Sequence, residues 1–217
     1  MKDELRARRR VLRRLGHLSE DGVIQNKGRV ACELSTADEL LTTELVFSGL
    51  LNELDPGPMA ALLSCLVSEG KGSKGGSGQG GGGKTGKGGK EPDPATLIKT
   101  RSMVEPFEKL REHARRVAST IEECHLAIDA KEYVDGFSVE LIDVVIAWCN
   151  GAKFAEVVQI CAWYEGSIIR TFHRLEELLR QLIDAARVVG NEELESRCSS
   201  ARALIVRDVV FAASLYT

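Results

Sequence analysis

The sequence predicts a mainly α-helical fold: a helical bundle around one long helix, with one short β-hairpin near the amino terminus and one disordered Gly/Lys-rich loop. Three observations carry this. Between Glu165 and Gly190, apolar residues fall at Ile168, Phe172, Leu175, Leu179, Leu182, Ala186 and Val189, in alternating steps of four and three. That is the buried stripe of a helix of about six turns. Shorter seams of the same period recur on both sides of it. Residues 70 to 89, by contrast, hold 12 of the 21 glycines, a composition that cannot repay the entropy of folding. With 217 residues, 43% of them hydrophobic, the rest of the chain can bury a real core.

In chain order, residues 3 to 16 read as a basic helix with Leu5, Val11, Leu12 and Leu15 on its apolar side and Gly16 as its stop. Val23-Ile24-Gln25 and Arg29-Val30-Ala31-Cys32 flank Asn26-Lys27-Gly28, and a positive φ at that glycine would make the pair a tight hairpin. Ser35 three residues before Asp38 suggests a capping box, with a helix through Asn52 that ends at Asp55-Pro-Gly-Pro58. The helix expected over 58 to 69 buries Met59, Leu62, Leu63, Leu66 and Val67. After the loop, 70 to 92, a longer helix from Pro106 carries the seam Phe107, Leu110, Ala114, Val117, Ile121 and Cys124. Residues 138 to 149 form the next, burying Leu141, Ile142, Val145 and Trp148, and a short one follows with Phe154, Val157, Val158 and Cys161 inward. The long helix then runs to Gly190. Asn191 caps a last helix that runs toward Leu215, with Leu194, Ala201, Ile205 and Val209 inward.

Composition excludes several classes. The six cysteines are scattered with no C-x-x-C pair, which reads as buried thiols in a reducing, intracellular compartment and not as a disulfide framework or zinc site. No apolar run reaches the roughly 18 residues of a membrane span. Gly78-Gln-Gly-Gly-Gly-Gly-Lys84-Thr85 satisfies the phosphate-loop pattern, but it lies inside the Gly/Lys tract without the strand and helix that grip a working loop. None of His17, His113, His125 and His173 has the i, i+4 partner of a metal-binding helix, and Glu122-Glu123, Glu176-Glu177 and Glu192-Glu193 belong to solvated faces. The sequence shows no active site. Residues 1 to 14 concentrate Lys2, Arg6, Arg8, Arg9, Arg10, Arg13 and Arg14 against Asp3 and Glu4 in a chain of net charge −3. Such a run is either a solvated helix face or a surface for phosphate.

The long helix carries a polar ladder opposite its seam: Arg170, Arg174, Glu177 and Gln181, spaced four, three and four. Two readings of it remain open at this level. The ladder is self-supporting if Arg174 pairs with Glu177 and Glu176 with Arg180, worth a few tenths of a kcal/mol per pair. Alternatively, Phe154 to Leu182 forms a helix-turn-helix that puts Arg170 and Arg174 in a DNA groove.

Several segments, in order, resemble the carboxy-terminal DSHCT helical bundle of the exosome-associated, superkiller-like DExH-box RNA helicases. They are Arg10-Val-Leu-Arg-Arg-Leu-Gly16, Lys27-Gly-Arg-Val-Ala-Cys-Glu33, Ala37-Asp-Glu-Leu-Leu41 with Thr43-Glu44, Ala60-Ala-Leu-Leu-Ser-Cys65, Glu165-Gly-Ser-Ile-Ile-Arg170, Arg174-Leu-Glu-Glu-Leu178, Gly190-Asn191 and Arg207-Asp-Val-Val-Phe-Ala-Ala-Ser-Leu-Tyr216. Glu165 to Leu178 is similar to the nuclear-exosome branch, and the final Leu-Tyr-Thr to the cytoplasmic superkiller branch. The nuclear branch is favoured because its signal lies on the long helix.

The resemblance implies that the long helix is the ratchet helix at the exit of an RNA channel formed with two RecA-like domains. Arg174 then matches the family's RNA-contacting arginine, Arg170 stands beside it, and Glu69 follows the Ala-Leu-Leu-Ser-Cys helix where a family glutamate meets emerging RNA. At Glu69 this chain has Val-Ser-Glu in place of the usual Phe-Gln-Glu. Residues 1 to 34 are implied to be the end of the arch stalk plus its hairpin, and 35 to 217 the bundle. ATP and magnesium would bind RecA-like domains that this sequence does not contain, so no cofactor or catalytic residue is expected here. The implied partners are single-stranded RNA, the RecA-like domains, and the RNA exosome with its adaptors; the implied compartment is the nucleus, or the cytoplasm for the other branch. A motor-less scaffold for exosome adaptors is the alternative from a different class.

Overall fold

In the computed structural model, residues 2–68, 93–207 and 209–211 are described. They form eleven α-helices and three short 3-10 turns around one hydrophobic core. Helix α1 (Lys2–Arg14) places Asp3 and Glu4 at its amino end and Arg13 and Arg14 at its carboxyl end, in the sense the helix dipole favours. It buries Ala7 and Val11, one turn apart, against α6 (Val104–Glu123), and Arg14 reaches Glu123 at 2.5 Å.

The expected β-hairpin over Val23 to Cys32 is absent: the described residues contain no strand, and Asn26–Glu33 is a helix, α2. One isolated antiparallel bridge, Leu18 with Ile24, is all the β structure there is among them. The reason lies in Gly28. Its φ is not positive; a Cβ there would stand 2.5 Å from the His17 carbonyl oxygen, so the glycine is required by close approach of α2 to the preceding loop. The turn sits upstream, where Gly16 (φ 79°) and Gly22 (φ 85°) take the left-handed conformation.

Helix α3 (Glu39–Phe47) begins at Asp38, whose carboxylate accepts from the Leu41 amide at 2.7 Å, three residues after the expected start at Ser35. It breaks at Gly49 (φ 80°) and restarts as α4 (Leu50–Glu53). Helix α5 (Pro56–Val67) admits prolines in its first turn and is buried on nearly every side from Met59 to Cys65, as an apolar helix must be at the centre of a bundle. Turns at Pro94–Leu97 and Arg101–Met103 lead into α6, with Phe107, Leu110, Ala114, Val117 and Cys124 buried as read from the seam. The short α7 (Ala130–Asp135), with no apolar periodicity long enough to find it, is tied back by the Tyr133 hydroxyl, which donates to Asp38 at 3.0 Å.

Helices α8 (Ile142–Cys149), α9 (Phe154–Val157), α10 (Glu165–Val189) and α11 (Glu192–Ile205) complete the bundle. Gly190 closes α10 in the left-handed conformation (φ 69°), and the Asn191 side chain accepts from the Leu194 amide, both as expected. The last helix ends at Ile205, short of the expected Leu215, which lies outside the described residues. Trp148 explains how this end is held. Its ring is fully buried beside Phe172 (centroids 5.1 Å apart) and Phe154 (6.4 Å), and its indole N–H donates to the Ile205 carbonyl at 3.0 Å. The Arg207 guanidinium lies 3.8 Å from the centre of that ring and donates to the carbonyls of Trp148 and Ala152, capping the end of α8.

Under α1, His17 is buried, and neither ring nitrogen has a well-aligned protein hydrogen-bond partner. It faces the Lys27–Glu44 ion pair (2.6 Å) that joins α2 to α3. Burial holds the imidazole below its ordinary value, opposed by Glu44 and by the Lys27 backbone and reinforced by Lys27. The unfolded chain therefore takes up a proton near pH 6.5 that the folded protein resists, so stability is full above that pH and falls as pH drops through it. We expect the melting temperature to fall between about pH 7.5 and pH 5.5. In His17→Leu that slope should shrink to the part owed to His113, which is also held low, by burial and Arg116. Calorimetry at the two pH values checks this; an unchanged slope in the variant contradicts it.

Candidate nucleic-acid interface

The long helix packs on α11, α5 and α2. Its predicted seam is buried from Ile168 to Ala186, with Val189 half-buried, and Leu178, Ile183 and Ala185 are buried beside it, so the apolar stripe is wider than spacing alone suggests. The polar ladder does not stay one surface. It divides at Arg174.

Below Arg174 the ladder is used up inside the protein. Gln181 is 6% exposed. Its carbonyl oxygen accepts from the amides of Ser35 (2.9 Å) and Thr36 (3.2 Å), and its amide nitrogen donates to the hydroxyls of Ser35 (3.0 Å) and Thr36 (2.8 Å) and to Glu177 (3.0 Å). One side chain thereby seals the 34–38 connection between α2 and α3 onto α10. Glu177 accepts both arms of Arg180, which hold its carboxyl below the usual range, and Glu176 accepts from Arg202 of α11 at 2.6 Å. The Glu176–Arg180 and Arg174–Glu177 pairs read from spacing are thus replaced as partners of these two carboxylates.

Above that point the side chains are exposed or half-buried, and on the adjoining side the exposed His173 ring meets Phe211 with centroids 4.6 Å apart. Arg170 is exposed and, among the described residues, its guanidinium donates to the Ser167 hydroxyl at 3.2 Å, one turn back. Arg174 is half-buried; it donates to the Thr36 carbonyl at 3.4 Å, the same residue whose amide and hydroxyl serve Gln181. The structure therefore puts Arg170 and Arg174 one turn apart on one face, with Arg174 steadied from the side. Glu69 and the Gly78–Thr85 pattern lie outside the described residues. Two neighbours were missed by sequence reasoning. Tyr164 occupies the helix N-cap without a side-chain capping bond and is 51% exposed, and Gly166, in the first turn, has nothing within 4 Å of an added Cβ. An aromatic residue where a capping side chain is the rule was the available signal. Together with the positive end of the α10 dipole, these residues offer cations, open backbone and a ring face to an anionic ligand.

The helix-turn-helix reading fits this geometry poorly. Helix α9 is one turn long, and α10 is a core helix held on three neighbours. Among the described residues, no three His, Cys, Asp or Glu side chains come together to hold a metal, and no helix is long and apolar enough to cross a membrane.

The family model described as DSHCT (NUC185) domain matches residues 21–212. This chain belongs to the DSHCT domain family. It is 44% identical over 218 residues to the ATP-dependent RNA helicase mtr4 of Schizosaccharomyces pombe, covering 99% of this chain and 17% of that protein. To the human Exosome RNA helicase MTR4 it is 43% identical, over 99% of this chain and 18% of the relative. To the human Superkiller complex protein 2 it is 36% identical, over 99% and 15%. Identity is thus higher to the exosome helicases than to the superkiller protein, the order read from Glu165 to Leu178. The chain spans less than a fifth of the length of these relatives, as the DSHCT domain of such helicases, with no catalytic domain in it.

Replacing Gln181 by leucine leaves the Ser35 and Thr36 amides without their acceptor in a half-buried setting. With each of the two part-buried donors costing about 1 kcal/mol, and about 2–4 °C per kcal/mol for a domain of this size, the melting temperature should fall by roughly 4–8 °C. Thermal unfolding followed by circular dichroism measures it. A loss of under a degree would mean that the 34–38 connection is held by other contacts.

Proposed function

We propose that this chain is the carboxy-terminal ratchet domain of an ATP-dependent RNA helicase of the nuclear exosome, and that α10 contacts single-stranded RNA during 3′–5′ unwinding as the strand passes toward the exosome. The observation that carries this is the division of the α10 polar face. Its carboxyl half is consumed by packing, whereas its amino half presents the exposed Arg170 and Tyr164, with Arg174 half-buried and held by Thr36 beside them. Unspecific single-strand recognition needs such cations beside an aromatic face. The half-buried stem of Arg174 and its bond to Thr36 fix where its charge is offered, which favours it over Arg170 as the main contact. Glu69, following α5 in the sequence, is proposed as a second contact on the resemblance alone. On the same reading, α1 is the lower end of the arch stalk, and residues 35–217 form the bundle. ATP and magnesium belong to RecA-like domains outside this chain, RNA exosome adaptors are its protein partners, and the compartment is the nucleus.

The test uses this chain assembled with its motor domains. Loss of an arginine stacked on a base costs about 0.5–2 kcal/mol, so Arg174→Ala should slow unwinding of a tailed duplex by up to roughly tenfold. Arg170→Ala should do less, and the double variant more than either. ATP hydrolysis without RNA should be unchanged, because neither arginine belongs to the motor. Undiminished unwinding by the double variant overturns the assignment.

A further inference from the structure

The α10 interface leaves the most charged element of the molecule unexplained. Helix α1 carries seven basic and two acidic residues, a surplus of five positive charges in a chain whose net charge is −3. Both acids are taken up within the helix, Asp3 by Arg6 at 3.3 Å and Glu4 by Arg8 at 2.8 Å, and Arg14 is spent on Glu123 of α6. Lys2, Arg9, Arg10 and Arg13 are exposed, and among the described residues no carboxylate pairs with them.

Their placement is ordered. Ala7 and Val11 face α6, and Lys2, Arg6, Arg9 and Arg13, spaced four, three and four, run along the opposite side. The stripe is about 16 Å long at 1.5 Å per residue. Like charges at these spacings repel, each pair costing the helix a few tenths of a kcal/mol, and among the described residues only the exposed Arg6–Asp3 pair offsets it. A solvated face that served only solubility would alternate its signs, as α11 does with Glu193 and Arg197.

We propose that the outward face of α1 is a docking surface for the phosphate backbone of double-stranded RNA, distinct from the single-strand path on α10. The chemistry selects the occupant. Four of the five side chains on and beside the stripe, Arg6, Arg9, Arg10 and Arg13, are arginines, whose fork matches phosphate oxygens in pairs. Helix α1 has no aromatic residue on which an unpaired base could stack, so a single strand gains little there. A protein partner would want an apolar or aromatic centre in its interface, and the stripe offers only the single exposed Leu5 at its flank. What remains is a regular row of phosphates read by charge and shape without sequence preference, as A-form RNA is. The choice of RNA over DNA rests on the proposed function; the choice of a phosphate row does not.

Fluorescence anisotropy of the purified chain with a blunt RNA duplex of about 16 base pairs, titrated at several salt concentrations, tests this. The variants are Arg9→Gln/Arg13→Gln and Arg9→Glu/Arg13→Glu, whose fold should persist because neither residue makes an internal contact; circular dichroism verifies that. Each lost phosphate contact lowers the salt slope by about 1. The neutral variant should therefore lower the slope by about 2 and the affinity about tenfold, and the charge reversal should do more. Arg170→Ala/Arg174→Ala should leave duplex binding intact, which separates failure here from failure of the α10 reading. Unchanged duplex affinity and slope in both α1 variants overturns the proposal. So does binding of poly-glutamate with the same dependence on Arg9 and Arg13 but no duplex binding, which would assign the face to an acidic protein.

Discussion

The amide of Gln181 decides what the long helix can do. A buried primary amide has two donors and a carbonyl acceptor to satisfy, and every one of them is met by Ser35, Thr36 and Glu177. Because those partners sit in the connection between α2 and α3, the amide fixes that connection across the carboxyl half of α10. It thereby sets the point at which the polar face emerges. Thr36 then serves twice, through its amide and hydroxyl to Gln181 and through its carbonyl to Arg174. The candidate RNA-contacting arginine is thus positioned by the same peptide segment that closes the fold, and the stability of that segment and the geometry of the site are one problem.

Rigidity follows from how the helix is held. A rod of 25 residues acts as a fixed wall only if it cannot bend or shift, and α10 is gripped by α11, α5 and α2 while Trp148 packs on Phe172 from α8. The far end is closed by Gly190 and clamped to α11 through Arg202 with Glu176 and Arg187 with Glu195. These exposed or half-exposed pairs add little energy individually. Their effect is to fix the register of two adjacent helices. Toward the amino end, Tyr164 and Arg170 are exposed, and Arg174 is half-buried with its guanidinium donating to the Thr36 carbonyl.

How much of this was legible in the sequence depends on what each residue does. The seam of α10, the cap at Asn191 and the stop at Gly190 were readable because they follow from local periodicity and backbone preference. Gly28 was misread because a glycine before a β-rich run fits a turn equally well as a helix pressed against a neighbouring carbonyl; only the position of His17, eleven residues away and folded back, distinguishes them. The start of α3 moved from Ser35 to Asp38 because Ser35 and Thr36 are engaged by Gln181, a contact 146 residues distant in sequence. The carboxylate pairs on α10 were misassigned for a related reason: Glu176 answers to Arg202 on another helix, which no spacing rule along α10 reveals. Arg170 and Arg174 were singled out as candidates because the family resemblance added to the periodicity; spacing alone left them divided between support and binding.

The account therefore rests on one claim, that the amino half of α10 is a wall of an RNA path and the carboxyl half is not. Photo-crosslinking of a 4-thiouridine-bearing single strand in the assembled helicase, with the linked peptides mapped by mass spectrometry, addresses it directly. Crosslinks on α10 should fall between Tyr164 and Arg174 and be absent from Glu177 to Val189. Crosslinks on the carboxyl half, or none on α10 while the strand is demonstrably bound, would contradict it.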